Sequence, residues 1–407
     1  MKNKDVALSF FFLLAPLYSL PIILKRIFDN DKYAFFLFAL FMGLLAYLFP
    51  PCGDFSRYYL DYEILKGATT SQLWDFLRIR FDYIQSIVLY LLGKYNLNSD
   101  YSRLFFTLIS YGLLSKIYIE IISNNALFRT RKQRKMAFWA FFLISITVFS
   151  FRFSFSAVLY VYGIYLLYYC GKREGWIFIL LSILNHVTFV CFLVPLVIYK
   201  FSVFRLSKKK LIVMVIVAGI ISNFSMTLLD YLPFGGDLFD RYIGYIDGYW
   251  AGDYRVEVSL KGMLFEYLTK ITYYGVILIY IYTYPGNRSD LTKQHQLLNS
   301  MLFICLLFSV FPVVIGRFLL VLSLAMKVHI FANLKTLYIA KKAVCLLCIL
   351  TILYDCIGLW ASRRELLFSD ECIIITSSIY GVLEHSYDGK WFDSNIGDDG
   401  SIVKLDY

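Results

Sequence analysis

From Tyr33 to Phe49 the chain runs without a charged residue, and apolar stretches of similar length recur from one end to the other. That recurrence constrains the fold more than any other feature. The hydrocarbon core of a bilayer is about 30 Å thick, and a helix needs roughly 20 apolar residues to cross it. Backbone groups facing lipid must bond within their own segment, so helices are the economical way to place such stretches. Composition agrees: the 407 residues are 59% hydrophobic and 19% aromatic, with a mean hydropathy of +0.64, outside the usual soluble range. The sequence therefore predicts an all-α integral membrane protein, a polytopic bundle of about 10–13 transmembrane helices with broken or re-entrant segments and a large outer loop.

Candidate crossings lie at 6–24, 33–51, 103–122, 136–151, 153–170, 211–229, 262–284, 296–316, 318–334 and 343–360. Two further apolar segments, 82–95 and 175–199, do not fit simple spans. Lys2 and Lys4 precede a full-length apolar helix with no small-residue cleavage pattern after it, so the first helix is expected to stay as an anchor. A membrane domain over 1–360, with outer loops at 52–82 and 230–262, would be followed by an acidic tail over 361–407.

Orientation follows from the crowding of Lys and Arg into short loops on the cytoplasmic side. The densest clusters are FRTRKQRK at 128–135 and FRLSKKK at 204–210, joined by basic pairs at 25–26, 172–173 and 341–342. This bias accounts for much of the net charge of +11, from 40 basic and 29 acidic residues. It is a topology signal, and a nucleic-acid partner has little support.

With those loops inside, both flanks of 175–199 are cytoplasmic, yet 25 residues are too few for two crossings at roughly 20 each. A broken or re-entrant helix pair resolves this, with Asn185 and His186 near its tip. The run 136–171, interrupted by Arg152, reads as a hairpin with Arg152 at its outer turn. Residues 296–334 repeat the arrangement, the two helices meeting at GRF with Arg317 near the turn. Three hairpins thus lift Arg152, His186 and Arg317 toward the side that carries the segment PPCGDFSRYYLDYEILKG at 50–67 and the 230–262 loop.

An arginine inside an apolar run either lines a functional cavity or snorkels and pairs for packing. Two on one side, with a histidine, favour the first reading. A guanidinium fork matches phosphate oxygens bidentately, and a phosphate held in a membrane suggests a lipid-linked diphosphate. His186 reads equally as a polar cap for a helix tip or as a group with a chemical role. The loop DYLPFGGDLFDRYIGYIDGYWAGDYRVEVSLKG mixes Tyr242, Tyr245, Tyr249 and Trp250 with Asp240 and Asp247. Such rings pack on the CH-rich faces of sugars while carboxylates accept hydroxyl hydrogens, a role Tyr58 shares; an interfacial aromatic belt has the same composition. The histidines at 186, 295, 329 and 385 lack metal-ligand spacing, and no cofactor is indicated. Cys345 and Cys348, spaced C-x-x-C on an apolar helix, read as small apolar residues.

The segments CGDFSRYYLDY, FSFRFSFSAVLYVYGIYLLYYCGKREGWIFILLSILNHVTFV and GRFLLV resemble the pattern of Wzy-type polysaccharide repeat-unit polymerases, in particular the EpsG-like branch. In that family a G-x-D-aromatic segment follows the second helix, an arginine opens a helix that ends in a short basic loop, and a histidine closes the next. The resemblance spans roughly residues 1–340 in layout. The chain departs from it where Arg152-Phe153-Ser154 stands in place of the frequent Arg-Gln-Gly, and its acidic tail has no counterpart.

The resemblance implies an enzyme of the bacterial inner membrane that joins oligosaccharide repeat units, carried on undecaprenyl diphosphate, into O-antigen or exopolysaccharide at the periplasmic face. Arg152 and Arg317 would stabilise the departing diphosphate, assisted by Arg241 or Arg57, with no metal. Asp54 would accept the acceptor hydroxyl's proton, with Asp61 and His186 as rivals; helix capping is the other role of Asp54, and the two are compatible. A chain-length regulator and a flippase of the same pathway are the partners this implies. The competing readings are a flippase for the same lipid-linked sugars and an O-antigen ligase-like transferase.

Overall fold

The computed structural model describes residues 3–145, 149, 151–222, 260–286, 288–308, 312–334, 337–368, 370–397 and 402. Among these the chain is helical, with no strand beyond an isolated bridge between Ile396 and Ile402. Among the described residues three helices, Tyr101–Asn124, Val314–Asn333 and Lys341–Ala361, are long and apolar enough to cross a membrane. The buried share of their apolar windows separates centre from periphery: 83% for Val314–Asn333 and 28% for Lys341–Ala361. Leu346, Ile349, Ile352 and Leu353 of the latter point outward, an apolar surface suited to lipid.

The centre is built around helix Arg152–Tyr168, which packs on Tyr101–Asn124, Gly175–Asn185 and Pro312–Asn333. Its contact with Gly175–Asn185 depends on two glycines. A Cβ at Gly163 would lie 2.7 Å from the Gly175 carbonyl oxygen, and one at Gly175 would collide with Gly163 in return. The turn between the helices is closed by Gly171 at φ +69°, a conformation glycine adopts without strain, while Lys172 N–H bonds the Leu166 carbonyl at 2.8 Å.

Residues 175–199 fold as a broken pair. Helix Gly175–Asn185 stops at His186, a tight turn covers Val187–Phe192, and Leu193–Ile198 returns. Asn185 reaches Arg152 at the start of the central helix, whereas Tyr199 packs on Tyr168 at its end, so both feet share one end of the bundle. Tyr160 donates to the Phe192 carbonyl at 2.9 Å, satisfying backbone freed by the break.

Three expected spans differ. The stretch 6–24 is two helices, Asn3–Leu14 and Pro16–Ile27, separated at Ala15, because the ring of Pro16 disfavours helical backbone before it. They fold back on each other, and Arg26 pairs with Asp5 as well as Asp31. The limb 136–151 is helical only as far as Phe141, after which extended chain is held by Asp355, whose Oδ1 accepts Ile144 N–H at 2.9 Å and Ser145 N–H at 3.0 Å. Thr351 donates to the Ala140 carbonyl at 3.0 Å and accepts from Lys327 at 2.7 Å. The span 296–316 ends at Leu307, and Pro312 opens the next helix, which sets Arg317 in that helix's second turn instead of at the junction. For 211–229, helix Lys208–Ser222 is seen and the remainder lies outside the described residues.

The C-terminal end of helix Lys32–Leu48 is closed by Arg103, which donates to the carbonyls of Ala46, Tyr47 and Phe49 at 2.7–3.1 Å and pairs with buried Asp100 at 2.6 Å. The tail docks on the same knot: Tyr387 donates to the Leu48 carbonyl and Tyr47 to the His385 carbonyl, both at 2.6 Å. Phe392, Ile396 and Ile402 then join a cluster with Phe55, Tyr59 and Tyr62 of helix Asp54–Leu65, Phe392 stacking on Tyr59 at 4.3 Å.

Gly163→Val should lower stability by about 1–3 kcal/mol through overpacking. Gly112→Ala, where a Cβ meets nothing within 4 Å, should leave it unchanged, as thermal unfolding in detergent would report. Arg103→Met, which strands Asp100 and three carbonyls, should cost about 3–5 kcal/mol in the same assay.

Candidate functional site

Arg152 is the first residue of its helix, where the dipole disfavours a cation. A cation kept there needs other support, and three contacts supply it. Its guanidinium pairs with the Asp82 carboxylate. The same guanidinium lies over the Tyr58 ring, 5.8 Å from the centroid, and Tyr58 Oη accepts the Arg152 backbone N–H at 3.3 Å. Asn185 donates to both the Arg152 carbonyl and Ser156 Oγ at 2.8 Å, tying the tip of the broken pair to the central helix.

Phe153 connects the rest. The guanidinium of Arg317 lies 5.8 Å from its ring centroid, and the His186 ring meets it edge-on at 5.3 Å. The charges of Arg152 and Arg317 both act on His186 and on Asp82. Two arginines and a histidine from three separate helical segments thus share one neighbourhood at one end of the bundle.

Asp61 is buried and accepts from Arg80 at 3.0 Å, which occupies it; burial pushes its carboxyl up against the opposing pull of Arg80. Asp54 opens helix Asp54–Leu65 and is half exposed, 4.0 Å from Arg57, itself exposed. Gly53, at φ +60°, takes the N-cap position, and the Asp54 side chain sits in the first turn, where a negative charge suits the dipole. Tyr58, expected to meet sugar, is buried beneath Arg152. Arg241, Tyr242, Tyr245, Tyr249, Trp250, Asp240 and Asp247 lie outside the described residues.

Three contributors escaped the sequence reading. Asp82 and Arg80 stand in RIRFD, where ordinary charges gave no warning of burial. Burial pushes the Asp82 carboxyl up, against the pull of Arg152 and Arg80. Gln85, one turn beyond Asp82 on helix Tyr83–Lys94, is 2% exposed, and neither end of its amide is hydrogen-bonded. The Nδ1 of buried His186 and the Oδ1 of Asn185 are likewise without partners. Unsatisfied polar groups this deep are rare, and the adjacent pair of Asn185 and His186 at the tip of the broken helices marks a place where a polar ligand can bind.

The opposite end holds a second histidine group that sequence spacing did not reveal. His295 and His329 have ring centroids 4.4 Å apart, and His329 Nδ1 meets Tyr169 Oη at 2.7 Å. Among the described residues no group of three or more His, Cys, Asp or Glu side chains is arranged to hold a metal ion.

Compared with protein-family models, curated proteins and solved structures, the chain finds no match.

Because folding raises the Asp82 carboxyl above its unfolded value, its contribution to stability is fully present at low pH and is lost as pH rises through the folded value. Thermal unfolding of wild type between pH 4 and 7 should therefore decline relative to Asp82→Asn, which cannot ionise. A gap running the other way would mean that pairing with Arg152 outweighs burial.

Proposed function

We propose that the chain is a polytopic glycosyltransferase of the bacterial inner membrane, with broken or re-entrant segments and a large periplasmic loop. It joins oligosaccharide repeat units carried on undecaprenyl diphosphate into O-antigen or exopolysaccharide. The observation that carries this reading is that Arg317 lies over the Phe153 ring, which the buried His186 meets edge-on, while Arg152, next in sequence to Phe153, is tied through Asn185 to the same turn. The basic loops lie at the other end of the bundle, which supports a periplasmic position for the arginines.

In the reaction the bond between the anomeric carbon of the growing chain and its diphosphate breaks, and an acceptor hydroxyl oxygen of the incoming unit bonds to that carbon. The leaving diphosphate gathers negative charge. Arg152 and Arg317 offer it preformed donor forks, and the Asp82 pair and the Tyr58 ring keep Arg152 in place before substrate arrives. The acceptor proton passes to a base. Asp54 suits that step best among the carboxylates, since it is half exposed, whereas Asp61 is held by Arg80 and Asp82 by Arg152. His186 is the alternative, with an open Nδ1. Gln85 and Asn185 supply polar contacts to substrate from the buried side.

The folded-back helices of 3–27 and the broken pair of 175–199 are also what a flippase for the same lipid would use, so one assay has to separate the two readings. Purified protein in vesicles, given lipid-diphosphate-linked repeat units, should yield a ladder of lengthened glycans. Arg152→Ala and Arg317→Ala should each reduce the ladder about 100-fold or more, the scale of losing one transition-state donor. Arg152→Lys should rescue little, because it keeps the charge and loses the fork. Units that cross the membrane without lengthening would replace the transferase by the flippase.

A further inference from the structure

A groove of about 780 Å³ lies away from the arginine site, between helices Lys32–Leu48, Tyr101–Asn124 and Arg152–Tyr168. Its walls are apolar, formed by Phe35, Phe36, Ile109, Leu113, Tyr162 and Leu166. Its floor at Gly112 is open, since a Cβ there would meet nothing within 4 Å. Lys32, Lys116 and Lys172 line the end toward the basic loops, with Glu120 beside them. None of the three lysines forms an ion pair with a carboxylate among the described residues. Ser115 also lines the groove; it is 4% exposed, and its hydroxyl has no hydrogen-bond partner.

We propose that this groove binds an anionic phospholipid, the acyl chain lying on the aromatic and aliphatic wall and the phosphate among the three lysines. Dimensions and charge argue for that occupant. From Ile109 to Asn124 the helix rises about 22 Å, close to the depth of one leaflet with its headgroup. Three cations against one carboxylate complement an anionic headgroup, and basic pockets between membrane helices on the cytoplasmic side are where such lipids settle. A free anion would use the lysines and leave the apolar wall exposed. The proposal needs the chain to be embedded in a bilayer and is independent of the transferase chemistry, so either can fail alone.

The test uses the full chain in phosphatidylcholine vesicles containing traces of spin-labelled phosphatidylglycerol or spin-labelled phosphatidylcholine. The immobilised fraction should show saturable preference for phosphatidylglycerol. Lys32→Gln, Lys116→Gln and Lys172→Gln combined should weaken that preference roughly a hundredfold, each basic side chain near an anionic surface being worth a factor of about five. Gly112→Leu starts from a position where a Cβ meets nothing within 4 Å and places its side chain against the acyl wall, so it should abolish the preference in a protein with normal thermal unfolding; it decides the matter if the triple variant does not fold. Equal retention of the two lipids by wild type, or a preference that survives Gly112→Leu, would overturn the proposal. So would a change of oligomeric state in Gly112→Leu with lipid preference intact, which would assign the groove to a second copy of the chain.

Discussion

Every backbone group freed inside the apolar body of this protein has to find a partner within the protein, and most of the unusual polar residues are explained by that demand. Where helix Arg131–Phe141 stops short, Asp355 takes two N–H groups and Thr351 donates to a carbonyl. Where helix Lys32–Leu48 ends, Arg103 covers three carbonyls. Lys327 is buried because Thr351 accepts from it close to Asp355, and Asp100 because Arg103 pairs with it. A buried charge with its partner removed is far costlier than the intact pair, so these groups hold their segments in single arrangements.

The same demand places the candidate site. The central helix must begin somewhere, and its first N–H is taken by Tyr58, a residue of the segment whose tyrosines and carboxylates interrupt the apolar sequence. Asn185 holds the tip of the broken pair against that start. Capping therefore brings together the segment 54–65, the start of the central helix and the turn at His186, and their charged side chains arrive with them. Tail residues extend the assembly, since Tyr387 and Tyr47 lock the last helices onto the Arg103 knot and Phe392 stacks on the Tyr59 ring.

Helicity and the approach of Arg152, His186 and Arg317 were legible because they depend on long-range bookkeeping along the chain: the length of apolar runs and the parity of basic loops. A charge inside an apolar run is conspicuous in one dimension. Asp82, Arg80 and Gln85 were not, because they stand in a stretch of ordinary polarity and become special only through burial against residues distant in sequence. Helix breaks were legible in part. The break in 175–199 follows from its length, whereas the one before Pro16 is passed over when 6–24 is read as a single span, and the stop at Phe141 is set by Asp355, more than two hundred residues away.

The layout at the arginine end also explains how half-buried guanidiniums are kept in place. Asp82 holds Arg152 by one edge of a planar group that has five N–H donors, and Tyr58 supports its face. Arg317 rests on the ring of Phe153, whose edge contact with His186 leaves the imidazole Nδ1 open. An aromatic ring beside a guanidinium favours its charge and restricts its orientation. An anion entering beside them meets guanidiniums whose positions the neighbouring carboxylate and rings have already set.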